Sequence, residues 1–266
     1  MTTDTLDRTW RLRVGAMVVV FLAVMSAMGF VVIPVIEGRR AGLDPFTAIC
    51  RAFGIGAPAA VPLVTAPARP ETRVAWTAPT LAALAAADKA AGAAEAQASC
   101  VACHAADGSS PDPTVPHMAG QSAFAIFKEL QDYKHGARVS DVMSPIALSL
   151  DDKQMADVAA HYASLKPSGL DASHPSFAGP EIEAIALRGD PSRTLAPCAA
   201  CHAAGAGGPL ETPGLTGQST VYIENQLHAF AKGERYNDAF MRMRSIAAKL
   251  TPREMALLGA YYTTPH

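Results

Sequence analysis

CVACH at positions 100–104 returns as CAACH at positions 198–202, and these two pentapeptides govern how the rest of the chain is understood. In Cys-x-x-Cys-His two thiols can add to the two vinyl groups of a porphyrin while the adjacent imidazole ligates the iron. Rival uses of such cysteines fail on context. A thioredoxin-like dithiol needs a βαβ setting, which this sequence lacks, and a zinc site would take ligand pairs closer together than the 98 residues between Cys100 and Cys198. The expected cofactors are therefore two covalently bound haem c groups, one on Cys100 and Cys103 and one on Cys198 and Cys201, with His104 and His202 as iron ligands.

The repeat extends well beyond the cysteines. PHMAGQ at 116–121 returns as PGLTGQ at 213–218, and Leu130, Gly136 and Arg138 return 97 residues later as Leu227, Gly233 and Arg235. The offset then becomes 100: Met143, Ile146, Leu150 and Tyr162 reappear as Met243, Ile246, Leu250 and Tyr262. Periodicity within each copy is helical. Asp151 with Gln154 and Thr251 with Glu254 have the spacing of capping boxes, and no alternating strand runs occur, so an all-α fold is expected. The two copies span 88–166 and 181–266, joined by a Pro-, Gly- and Ser-rich linker at 167–180. Each is under 90 residues and needs a staple, which a large apolar haem supplies.

A sixth iron ligand separates electron transfer from ligand binding or catalysis, because a thioether closes the open position and raises the potential. Of ten methionines, four precede the repeats, Met155 and Met255 fall in final helices, and Met118 stands where the second copy has Leu215. Met143 and Met243 align and are the expected ligands; Met241 competes but lies in the three-residue insertion. Gln121, Gln218, Arg138 and Arg235 recur in both copies and are expected in the haem surroundings, the arginines because a guanidinium fork suits propionates.

The 22 Lys and Arg residues against 24 Asp and Glu give a net charge of −2, which excludes a chain that grips nucleic acid through counterion release. Val14 to Ile36 is a run of 23 residues without a charge, enough to cross a bilayer core of about 30 Å. It runs on past the length of a signal-peptide core, so residues 1–37 are read as a retained transmembrane anchor. Residues 38–87 are read as an amphipathic segment followed by an Ala- and Pro-rich tether. Phe46, Ile49, Cys50 and Phe53 form the apolar face of a short helix between Asp44-Pro45 and Gly54. An extended tether of about 45–50 residues would reach on the order of 100 Å.

Residues 88–266 resemble the c4-type diheme cytochromes c, two class I cytochrome c domains in tandem. The resemblance is carried by CVACHAADGSSPDPTVPHMAGQ, KHGARVSDVMSPIALSL, CAACH, PGLTGQ, NQLHAFAKGERYND and MRSIAAKL. It implies that Pro116 and Pro213 offer backbone carbonyls to the Nδ1–H groups of His104 and His202. It also implies first-helix glycines packed on last-helix aromatics, here Gly92 on Tyr162 and Gly189 on Tyr262. The anchor and tether depart from the pattern. Together, resemblance and anchor imply an electron carrier with no catalytic residues, held by its N-terminal helix in a bacterial inner membrane with the haem domains in the periplasm. By resemblance a quinol-oxidising cytochrome bc complex is the donor and a haem–copper terminal oxidase the acceptor. The alternative is a haem subunit fixed to a periplasmic dehydrogenase or an oxidase. A diheme peroxidase would need an open iron, against which the paired methionines argue.

Overall fold

The computed structural model describes residues 3–40, 45–52, 71–167, 179–203 and 208–263, and these are helical with one isolated antiparallel bridge, Asp190 to Leu195. The chain divides into two compact units, Met1–Pro67 and Ala68–His266.

In the first unit α1 (Thr3–Ala27) passes through a single π-helical stretch, Met28–Val32, into α2 (Ile33–Arg40). Pro34 accounts for the widened turn. It has no N–H to continue the ladder, and the Ile33 N–H bonds five residues back, to Met28 O. Thr9–Ile36 is long and apolar enough to cross a membrane. Helix α3 (Pro45–Ala52) packs against α2. The expected apolar face is only partly inward: Ala48 is buried and Ile49 and Cys50 half-buried, whereas Phe46 is 76% exposed. Asp44, Phe53 and Gly54 lie outside the described residues.

The second unit contains the sequence repeat as a structural one. In the first half α5 (Lys89–Ser99) leads into α6 (Val101–His104), then α7 (Ala123–Lys134), α8 (Met143–Ser149) and α9 (Asp152–Ser164). In the second half α10 (Pro180–Arg188), α11 (Ala199–His202), α12 (Thr220–Ala231), α13 (Arg242–Ala247) and α14 (Pro252–Thr263) follow in the same order. Both capping boxes form: Asp151 with Gln154, and Thr251, whose N–H donates to Glu254 Oε2 at 2.7 Å while the Glu254 N–H bonds Thr251 Oγ1 at 3.2 Å. Phe127, Leu130, Met155, Val158 and Tyr162 fill the first core, and Ile185, Leu227, Phe230, Met255, Leu258 and Tyr262 the second.

The two expected close-approach glycines sit in different settings. Gly92 is a close-approach glycine against the α9 backbone: a Cβ there would lie 2.0 Å from Asp157 O. Gly189 has the backbone of Leu195, Ala196 and Pro197 as its nearest neighbours. It caps α10 with φ +70°, and the chain then turns through the Asp190–Leu195 bridge before reaching Cys198, an excursion the first half lacks. The expected tether also ends sooner than Ala87. From Glu71 the chain runs without helix or strand, with Val74 and Trp76 packed against the first core, and continues into α4 (Ala78–Ala85), capped by Thr77 and seated on α9. Positions 53–70 of the tether and 168–178 of the linker lie outside the described residues.

Candidate functional site

Each Cys-x-x-Cys-His motif folds as one tight helical turn. His104 N–H bonds Cys100 O at 3.0 Å, and His202 N–H bonds Cys198 O at 2.9 Å, so the two thiols and the imidazole of a motif are held by a single short backbone segment. His104 Nδ1 lies 3.0 Å from Pro116 O and His202 Nδ1 2.8 Å from Pro213 O. A carbonyl can only accept, so Nδ1 carries the proton and Nε2 is left as the lone-pair nitrogen, the tautomer a metal requires. Burial lowers the pKa of both histidines, the proline carbonyls opposing, which favours the neutral imidazole.

The surroundings fit a covalently held haem and fit poorly with other uses of the same residues. Among the described residues no group of three or more His, Cys, Asp or Glu side chains could hold a bare metal ion. Burial and then Glu95 push the Cys100 thiol up to about 11, the opposite of a reactive redox dithiol. The buried hydroxyls of Tyr162 and Tyr262 lack hydrogen bonds of good geometry, and each stands beside the first cysteine of its motif, Cys100 or Cys198. An unpaired buried hydroxyl is costly, so its repetition in both halves marks an environment that protein atoms alone leave incomplete.

Met143 opens α8 and packs against the first core; Met243 stands in the first turn of α13 and packs against the second. Met241 is 51% exposed, in a left-handed residue at φ 55° next to Phe240 at φ 57°. The insertion thus bulges outward and leaves Met243 in the position corresponding to Met143. Met118 and Leu215 pack against corresponding cores, as side chains of the interior.

The glutamines and arginines have a role the sequence did not disclose: they join the two halves. Gln218 Oε1 accepts from His117 N–H at 2.8 Å and its Nε2 donates to His117 O at 3.0 Å. Gln121 makes the matching pair with Gly214, at 2.7 and 2.9 Å. Arg138 stacks over Tyr133 and donates to Glu129, Tyr222 and Gln226; Arg235 stacks over Phe230 and donates to Asn237, Gln226 and Glu129. Carboxylate, amide and phenol oxygens of the protein thus engage both guanidinium groups, whatever part they take in the haem surroundings. Glu129 and Gln226 are themselves 97 residues apart, so the repeat offset that exposed the arginines would have exposed their partners. The buried Lys128, bonded to Asp132 at 2.7 Å and to Asn237 O at 2.7 Å, has no such signal.

Residues 89–166 match the cytochrome c family. Cytochrome c4 of Pseudomonas aeruginosa is 37% identical over 185 residues, 68% of this chain and 90% of that protein. A thiosulfate dehydrogenase electron acceptor of Thiomonas intermedia is 40% identical over 157 residues, 58% of this chain and 72% of that protein. The crystal structure of reduced recombinant cytochrome c4 from Pseudomonas stutzeri superposes with a TM-score of 0.60 at 32% identity, over 68% of this chain and 100% of that one. Two half-molecules with the same histidine–proline arrangement, in a chain aligned over nine-tenths of a cytochrome c4, are the mark of one family: this chain belongs to the cytochromes c4, electron-transfer proteins with two covalently bound haem c groups.

Proposed function

We propose that this protein is a membrane-anchored diheme carrier that takes electrons one at a time at the periplasmic face of a bacterial inner membrane and passes them to a haem–copper terminal oxidase. Cys100, Cys103 and His104 would hold one haem and Cys198, Cys201 and His202 the other, with Met143 and Met243 as sixth ligands. When bound, the haems supply one-electron iron chemistry. The chain's own residues bind the porphyrin, fix the histidine tautomer through Pro116 and Pro213, and close the sixth position against other ligands. The observation that carries this reading is the pairing of a Cys-x-x-Cys-His turn and its histidine–proline hydrogen bond in each half with the membrane-length helix Thr9–Ile36. Retention of that helix as an anchor is part of the proposal, checked by N-terminal sequencing of the mature protein: a start downstream of Ile36 identifies a signal peptide instead.

Two donors fit, and a specific observation supports each. The anchor favours a membrane neighbour such as a quinol-oxidising bc complex. The second reading, a periplasmic dehydrogenase, is favoured by the relative that accepts electrons from thiosulfate dehydrogenase. Mild detergent purification separates a free carrier from the alternative of a fixed subunit: the first comes away alone, whereas the second brings its dehydrogenase or oxidase in constant stoichiometry.

A further inference from the structure

The two glutamine clamps do more than hold the halves together, because of which peptide group each one grips. Pro116 C=O and His117 N–H are the two ends of one peptide unit. Its oxygen accepts from His104 Nδ1–H at 3.0 Å while its N–H donates to Gln218 Oε1, in the other half, at 2.8 Å. The second site repeats this with the halves exchanged. Pro213 O accepts from His202 Nδ1–H at 2.8 Å, and the N–H of the same peptide unit, that of Gly214, donates to Gln121 Oε1 at 2.7 Å. The amide orientations are fixed, since each Oε1 also accepts the N–H of the following residue, Ser122 at 2.9 Å and Ser219 at 3.1 Å, and each Nε2 faces a carbonyl.

Hydrogen bonds in series polarise one another. A peptide unit whose N–H is engaged presents a more negative carbonyl oxygen, which draws harder on the histidine Nδ1–H and makes Nε2 a stronger donor to iron. A more basic ligand favours the oxidised iron and lowers its potential. We infer that Gln218 tunes the haem held by His104 and that Gln121 tunes the haem held by His202, so that each half sets the ligand strength of the other. This makes the two glutamines positioning residues acting through the proline–histidine bond, and it rests on the reading of His104 and His202 as iron ligands.

The test is a redox titration of the holoprotein and of Gln218→Met and Gln121→Met, which keep side-chain length but remove the hydrogen bonds. Both potentials are resolved, and the Nδ1–H resonance of each ligand histidine is followed by NMR. Gln218→Met should raise the potential of the haem at Cys100 and Cys103, shift the His104 Nδ1–H resonance towards that of a weaker hydrogen bond, and leave the other haem unmoved. Gln121→Met should do the converse. Equal movement of both haems in each variant, movement of the haem in the variant's own half, or no movement would overturn the inference and leave the clamps as interface contacts. Wild-type spectra check the ligand reading separately: two low-spin histidine–methionine irons must be present before the crossed shifts are sought.

Discussion

The indole N–H of Trp76 donates to the Glu211 carboxylate at 2.8 Å, joining the segment ahead of α4 to a loop of the second half. The same indole meets Phe124 of the first half edge-on, with ring centroids 5.4 Å apart. Five residues earlier Glu71 pairs with Arg244 of the second half at 3.1 Å. The segment Glu71–Thr77 is therefore a strap across both halves, and the length free to act as a tether ends before it.

Truncating the strap should weaken the diheme unit. Trp76→Ala removes an aromatic pair, a hydrogen bond and part-buried apolar area, and should lower the unfolding free energy in urea by about 2–3 kcal/mol. Glu211→Gln keeps an acceptor at the site and should cost about 1 kcal/mol or less. Equal losses from the two would show that the carboxylate rather than the indole carries the strap.

Gly92→Ala tests the crossing of α5 and α9. The added methyl would sit 2.0 Å from a backbone oxygen, which no side-chain rotation relieves, so the helices must separate. A loss of about 3 kcal/mol is expected in the same denaturation. Gly136→Ala, where a Cβ has open space but φ is +74°, should cost about 1 kcal/mol from backbone strain alone.

Acid should loosen the seam between the halves. Burial works to raise the Glu129 carboxyl, but Arg235, Lys128 and Arg138 overcome it and hold it well below its ordinary value of 4.5. A carboxylate with a depressed folded pKa contributes stability that is complete above the unfolded value and is lost as pH falls through the folded one. Asp132 acts in the opposite sense, its carboxyl raised by burial with Lys128 opposing, so protonating it favours the folded state. Urea unfolding below pH 4.5 should therefore show a fall in stability that is shallower in Glu129→Gln than in the wild type. Identical slopes would show that Glu129 is not the group responsible.

The haem motifs, the repeat and the helical class were legible because each rests on local chemistry or local period: Cys-x-x-Cys-His, an offset of 97 then 100, and capping boxes at Asp151 and Thr251. What the sequence concealed lies between the halves. Gln121 and Arg138 were visible as repeated residues, but a recurring polar side chain looks the same whether it faces a cofactor or a second domain. Trp76 sat in a Pro- and Ala-rich run whose composition outweighed one aromatic, and nothing in the sequence marks the extra turn that follows Gly189 in the second half.

The strap also sets where the tether can be shortened without disturbing the haem unit. Deleting residues 57–70 leaves Glu71 and Trp76 in place and removes most of the chain between Ala52 and the strap, 18 positions that in polyproline form, at about 3.1 Å each, would span about 55 Å. If the haem unit swings between membrane complexes, quinol-to-oxidase electron flow in membranes should slow while both haem potentials stay unchanged. Unaltered flow, with the protein fixed to one partner, favours the bound-subunit reading.

Carbon monoxide binding to the reduced protein is the sharpest probe of the proposed coordination, because it occurs only where the sixth position is open. The wild type should bind none, Met143→Ala and Met243→Ala one molecule each, the double variant two, and Met241→Ala none. Binding by Met241→Ala together with none by Met243→Ala would contradict the assignment of the second ligand, and binding by the wild type would contradict a closed electron carrier altogether.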